Sequence, residues 1–552
     1  MDKKKLLSIL LSSTLIFSGL LTGCGQSSTT TKEDTSTPQV INVASAQDIA
    51  TLDTSKISDS ASNTIAQETQ EGLVRLDNKK IVPAGAEKWE TSADGFTWTF
   101  HLRDYSWSDD KKVTAKDYVY AVKRVFDPAT ACPNAGILYS IKGSEEYNTN
   151  KGKAEDVGVK AIDDKTLQFT LKTPTPYFIQ LMNFVSLLPL RQDIVEKGGV
   201  SYGTDVKGVV YTGPFVVEQW VKGSKIVLKK NTKYWDAKSV KLDTATVNII
   251  PEESTSQQLF DSKGLDIIQN VKGEYVQKLK AELDKGDIQS IIGDYPSLSY
   301  IAFNNKSTNK LLTNAKVRLA LSLAIDREGF VKNVVKKDKA AYGFIPYGMN
   351  NGDKIFREAV KEPLKALANQ DPKKLYQEGL KELGLDVTKQ YEITFLQKNA
   401  NSGSKVAGEF FQDQWQKKIG VKVKIDVASD SATFNKMIMK GTYEVAQTGW
   451  GADYNDPMTF MGMYLTGDGN NAAHFSNTDY DRLVKDAATN PDMTKRLEAF
   501  TNAEKILVAD KAAIAPLTFN IATNFIQKYV KGLQVQAGGP AYELKYVYID
   551  KK

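Results

Sequence analysis

Trp98, Phe100 and Leu102 alternate with Thr97, Thr99 and His101, a period of two that predicts a strand with one buried face. Leu167, Phe169 and Leu171 repeat the pattern, and Val247-Asn248-Ile249-Ile250 reads as a buried strand. Elsewhere the spacing is helical. Thr114-Ala115-Lys116-Asp117 carries a capping-box signal, and Tyr118, Val119, Val122, Val125 and Phe126 follow on one helical face. Phe410, Phe411, Trp415 and Ile419 mark a later helix of the same kind. Both stripes are expected to pack into cores rather than line a cofactor site. Strands and helices interleaved over about 500 residues imply a mixed α/β chain of more than one lobe, because single cores stop growing near 250–300 residues.

The first residues follow a different logic. Lys3, Lys4 and Lys5 precede an apolar run over 6–20 that is diluted by Ser, Thr and Gly, and then come Leu21-Thr22-Gly23-Cys24. This is the layout of an export signal, and the run is too short for a comfortable spanning helix, which needs about 20 apolar residues. The small residues before Cys24 resemble the lipobox of bacterial lipoproteins. That resemblance implies cleavage after residue 23 and acylation of Cys24, palmitate included, and two acyl chains suffice for stable anchoring. Residues 24–38 are rich in Ser, Thr and Gln and cannot bury a core. They read as a tether that would hold the body roughly 20 Å from the bilayer if flexible.

The 552 residues are 41% hydrophobic and 25% charged, with no later segment apolar enough to span a membrane. Of the net charge of +6, the leader's three lysines and one aspartate supply two, which leaves about +4 on the mature chain without basic blocks. That excludes a nucleic-acid stripe. Cys24 and Cys132 are the only cysteines. With Cys24 committed to the anchor, no disulfide is possible in the mature chain, and Cys132 is expected to be a small, partly buried residue rather than a nucleophile.

Several segments, in order, carry a resemblance. They are Pro83-Ala84-Gly85-Ala86-Glu87-Lys88-Trp89, then 94–103, Trp107-Ser108-Asp109, Val113-Thr114-Ala115-Lys116-Asp117 and Tyr211-Thr212-Gly213-Pro214-Phe215. Next come Asn304 with the Val317-Arg318 to Asp326-Arg327 helix, and Gly449-Trp450-Gly451-Ala452-Asp453-Tyr454-Asn455-Asp456-Pro457 with 470–475. Together they resemble the oligopeptide/dipeptide-binding receptors of ABC importers, solute-binding family 5. The departures are Asp110 where the family has Gly, and Phe215 where Tyr is commoner.

The resemblance implies an α/β fold of the periplasmic-binding-protein type II class. Two lobes are joined by two crossing strands, with an extra domain inserted in the N-terminal lobe. Lobe I is expected at 39–58, 200–295 and 517–552, inserted domain II at 59–199 and lobe III at 296–516. The crossings are expected near 297–304 and 517–524. The implied role is to capture short peptides and deliver them to permease subunits driven by cytosolic ATPases. The chain would act as a monomer held to the outer face of the membrane by its lipid, with no cofactor, metal or nucleic acid.

A receptor for varied peptides must hold what they share, namely backbone amides, an ammonium and a carboxylate. An extended peptide can pair with an exposed strand edge, and a carboxylate can hold its α-ammonium by a charge-assisted bond. The family match gives that second role to Asp453. Gly449 and Gly451 are expected to allow tight turns and close backbone approach, Trp450 to line the first side-chain pocket, and Gly451 and Ala452 to bind ligand beside it. Tyr300 on a crossing strand would contact ligand or seal the lobe, and Asp48 would border the ligand or lie on the surface. Other cargoes remain open within the family, among them dipeptides alone, signalling peptides, haem, nickel complexes or sugars. A surface hydrolase is the distant alternative. His101 and His474 are the only histidines, and the turn at 466–470 lacks the Lys-Ser/Thr of a phosphate loop.

Overall fold

The computed structural model describes residues 37–551 except 79, 272–273 and 535–539. The leader, Cys24 and the tether up to residue 36 lie outside the described residues. Residues 38–552 form one compact unit. No helix among the described residues is long and apolar enough to cross a membrane.

The alternating segments form strands as expected. Thr97–Leu102 and Thr166–Thr170 pair at the centre of a four-stranded sheet completed by Ala86–Thr91 and Val159–Ala161. The helix Ala115–Phe126 packs against this sheet, burying Tyr118, Val122, Val125 and Phe126. It begins where the Asp117 carboxylate reaches back to accept the Thr114 N–H at 2.8 Å.

An eleven-stranded sheet makes up the rest of the framework. Its order runs Lys422–Val427, Glu392–Gln397, Val445–Gly451, Ile288–Phe303, Ile514–Gln527, Ile267–Ile268, Val40–Ser45, Thr244–Ile249, Lys225–Lys230, Phe215–Val221, with Lys339–Ala340 beside Ile514–Gln527. The long antiparallel pair Ile288–Phe303 and Ile514–Gln527 carries the sheet from one half to the other. These strands contain the expected crossings and run beyond them. Their ladder is interrupted between Asp294 and Leu298, as at a β-bulge.

On the far half, both faces of the sheet are covered. Leu298, Tyr300 and Ala302 enter one core, while Ile301 and Phe303 enter another with Phe411, Trp415 and Ile419. The buried Arg318 and Arg327 give their guanidinium protons to backbone carbonyls, including Ala512, Lys511 and Pro516. Burial without a carboxylate partner pushes both down to about 10. Their part of the family motif thus fastens the approach to the second crossing strand. On the near half, the C-terminal segment lies along the helix Ser60–Thr69. Ala541 N–H donates to Thr64 Oγ1 at 3.0 Å and Leu544 N–H to Glu68 Oε1 at 2.8 Å.

Candidate functional site: an acidic cavity beside a free strand edge

Val445–Gly451 pairs with Ile288–Phe303 along its whole length, from Phe303 opposite Val445 to Ser297 opposite Gly451. On its other side Glu392–Gln397 reaches only Val445 and Ala446. Residues 447–451 therefore present an edge with no neighbouring strand among the described residues. Beyond it the chain turns into a loop held at several points. Ala452 N–H donates to Pro296 O at 2.8 Å, inside the interrupted part of the crossing ladder. Asn455 Oδ1 accepts from Asn350 N–H at 3.0 Å, and Tyr454 stacks on Tyr177 at 5.4 Å.

Within this loop Asp453 has one polar side-chain partner among the described residues, the Thr459 hydroxyl, which donates to Oδ2 at 3.1 Å. Burial pushes its carboxyl up to about 6, which the Thr459 bond only partly offsets. A carboxylate left this short of donors is poised to gain from a cation.

Asp453 lines a cavity of about 250 Å³ together with Gly451, Ala452, Tyr454, Tyr295 and Asp59. Tyr295 lies in the interruption of the ladder, which frees it to face the cavity. A second cavity of about 440 Å³ meets the first at Ser60. It lies at the carboxyl ends of the parallel strands Val40–Ser45, Thr244–Ile249 and Ile267–Ile268, where open α/β sheets place ligands. Its walls are mainly apolar, with Ile49, Ile65, Val247 and Tyr542 among them and Gln269 and Asn270 at one side. Among the described residues, no Lys, Arg or His lines either cavity.

The model of "Bacterial extracellular solute-binding proteins, family 5 Middle" matches residues 80–472. The chain belongs to this family. It is 32% identical over 542 residues to the oligopeptide-binding protein OppA of Bacillus subtilis, covering 96% of this chain and 97% of that one. Among solved family 5 structures, Listeria monocytogenes OppA bound to peptide matches with TM-score 0.74 at 31% identity, covering 93% of this chain and all of that one. Haemophilus influenzae OppA in complex with RPPGFSPFR matches with TM-score 0.77 at 28% identity over 93% and 99% of the two chains. The mixed α/β, two-lobed fold is that of these family 5 proteins.

Three of the expected site residues lie outside both cavity walls. Tyr300 is 1% exposed and sits in a core between Phe344 and Tyr464, because helices and loops cover both faces of its sheet. Asp48 lines neither cavity. Its carboxylate accepts the Trp220 indole N–H at 2.9 Å and the Gly223 N–H at 2.7 Å, pinning the 215–230 hairpin to the first strand. Trp450 packs partly buried against the lobe core and is absent from the cavity wall, since strand alternation turns it away from Gly449 and Gly451.

The two glycines differ in what their backbone meets. Neither has a positive φ. Gly449 is needed because a Cβ there would meet Leu298 O at 2.8 Å, whereas at Gly451 the nearest atom would lie at 3.7 Å.

Gly451, Ala452 and Asp453 do line the cavity together. Asp59 and Asn63, which join them there, escaped the sequence reading. Asp59 precedes Ser60–Thr69 as an N-cap, and Asn63 follows four residues on, one helical turn away. That spacing was the available signal. His101 lies near Glu90 at 3.4 Å, His474 Nε2 lies 2.9 Å from Ile438 O, and Cys132 is buried against Ser186. None of the three lines either cavity.

Proposed function

We propose that this chain captures short peptides in an extended conformation and hands them to an ABC importer. The observation that carries this reading is Asp453, a half-buried carboxylate with no cation partner among the described residues, set at the end of a strand edge that has no neighbouring strand among them. A peptide lying along residues 447–451 would gain main-chain hydrogen bonds, and its α-ammonium would reach Asp453. The 440 Å³ cavity next door, mainly apolar with Glu253 in its wall, would accept further side chains. Relatives named for oligopeptide binding, two of them solved with peptide, support the same cargo.

Lobe I at 39–58, 200–295 and 517–552 would close against lobe III at 296–516, with 59–199 inserted. The separate apolar clusters and the distinct four-stranded sheet support this division. Acylation at Cys24 would keep the receptor, as a monomer, at the outer membrane face near its permease. Replacing Cys24 by Ser should abolish acyl labelling and release the protein from the membrane fraction.

The direct test is calorimetric titration of purified protein, stripped of ligand by unfolding and refolding, with peptides of two to ten residues. Free peptides should bind with Kd of about 1 μM or below. N-acetylated counterparts should lose about 2 kcal/mol or more, the scale of an unpaired buried charge. Equal binding of the two sets would mean that Asp453 does not hold the α-ammonium.

A further inference from the structure

Tyr454 follows Asp453 in the chain, yet its ring does not join the core that its neighbours join. Trp450, Ala452 and Met458 pack against the cluster that holds Tyr300 and Phe344, whereas Tyr454 packs against the cluster of the four-stranded sheet. There it stacks on Tyr177, with ring centroids 5.4 Å apart and planes 5° from parallel. The Arg496 guanidinium, which grips Asp456 in the same loop, lies 5.5 Å from the centre of the Tyr177 ring. Tyr177 therefore meets the loop at residue 454 directly and at residue 456 through Arg496. Its own place is set by the sheet. The next residue, Phe178, is fully buried and packs on Trp98 at 5.5 Å and Phe169 at 5.4 Å, while Tyr177 O accepts the Gln180 N–H at 2.9 Å.

We propose that Tyr177 is a positioning residue for ligand capture, which braces Tyr454 from the 59–199 segment and so holds the neighbouring Asp453 carboxylate where the α-ammonium arrives. The proposal rests on the reading of Asp453 as holder of that ammonium. The loop's ties to its own side are at Ala452, through Pro296 O, and at Asn455 and Asp456. Asp453 and Tyr454 lie between them. Asp453 is steadied by Thr459, which accepts its N–H at 3.1 Å and donates to its carboxylate, and Tyr454 is steadied by the stack. A charged contact reaches full strength only when its partner is held to within about 0.5 Å, and a loop needs outside support to do this. An offset pair of parallel rings gives such support over a broad, flat contact. Tyr177 does not itself line the Asp453 cavity. Its effect on a ligand would therefore pass through the loop.

The test titrates free and N-acetylated forms of the same peptides into ligand-stripped wild type, Tyr177→Ala and Tyr177→Phe. Thermal melts without ligand verify that each variant is folded, and Tyr177→Leu, which fills space without a flat ring, replaces the alanine variant if that one melts early. Wild type should favour the free peptides by about thirtyfold or more. Tyr177→Ala should shrink this ratio by about fivefold, the scale of one aromatic stack, with the acetylated peptides held to within about twofold of wild type. Tyr177→Phe keeps the ring and should behave as wild type. An unchanged ratio in Tyr177→Ala overturns the proposal. So does an equal loss for both peptide forms, which would make Tyr177 a general support of the cavity rather than of Asp453. A phenylalanine variant as weak as the alanine one would overturn it too, since the stack would then not be the cause. If wild type itself does not distinguish the two forms, the Asp453 reading falls and this proposal with it. If wild type distinguishes them and Tyr177→Ala does so equally well, only the role of Tyr177 falls.

Discussion

Two aspartates three residues apart in one loop have opposite surroundings. Asp456 is gripped by Arg496 through both oxygens, at 2.6 and 2.7 Å, with both side chains buried. Arg496 also donates to Ala487 O and Asn351 Oδ1, so its donors are well used. Asp453 has a threonine hydroxyl and no cation among the described residues. The fold can complete a buried ion pair at this loop, and it does so at one of the two positions. Asp456 belongs to the architecture that holds the loop, and Asp453 has the open side that the proposed ammonium contact requires.

The comparison breaks most visibly at Arg496. Arg496→Met should cost about 3–5 kcal/mol in denaturant unfolding, because Asp456 is then buried without a counter-charge. A second substitution, Asp456→Leu, should recover at least half of that loss, since a packed apolar pair can replace a buried ionic one. A single-variant loss below about 1 kcal/mol would mean that the Asp456 pair is not holding the loop.

Asp453→Asn should move stability the other way. The folded carboxyl sits at about 6, above its ordinary 3.8, so the folded state binds the proton more tightly than the unfolded chain does. Wild-type stability from this group is therefore fully present below about pH 4 and lost as pH rises through about 6. The asparagine variant has no such slope. Without ligand it should be about 1–3 kcal/mol more stable than wild type at pH 7.5 and equal to it near pH 4, while its peptide binding collapses. Peptide affinity of wild type should weaken as pH falls below about 6, because the ammonium needs the ionised carboxylate. A variant less stable than wild type at pH 7.5 would place Asp453 with Asp456 among the structural groups.

Strand and helix periods made the elements legible: Thr97–Leu102 and the helix after Thr114 formed where the pattern put them. Asp453 was legible through its motif alone, since an isolated aspartate in a loop has many structural uses. Period-two alternation assigns residues to two faces of a strand and says nothing of what covers each face. Tyr300 was open to two readings for that reason, and it lies in a sheet covered on both sides. Asp48 and Asp59 show a related limit. One has its carboxylate fully used by an indole and a backbone N–H, the other keeps an oxygen spare, and a sequence does not record hydrogen bonds already made.

A third aspartate sharpens the contrast, because its backbone matters more than its charge. Asp110 stands where the family pattern carries glycine, and its φ is +69°. It ends a three-residue hairpin loop in which its N–H donates to Trp107 O at 3.0 Å and Trp107 N–H donates to Lys111 O at 2.8 Å. The left-handed conformation there is tolerated by Asp and Asn better than by other side chains and is free for glycine. Its carboxylate meets Lys233 at 2.6 Å, but both groups are exposed and the pair is worth little. Asp110→Gly should therefore stay within about 0.5 kcal/mol of wild type, the relief of strain offsetting greater freedom of the unfolded chain. Asp110→Ala should lose about 1 kcal/mol, because alanine bears the left-handed cost without a polar side chain to offset it. Denaturant curves on the pair measure the difference. If alanine and glycine behave alike, the hairpin does not hold residue 110 in the left-handed region, and the departure from the family's glycine carries no conformational consequence.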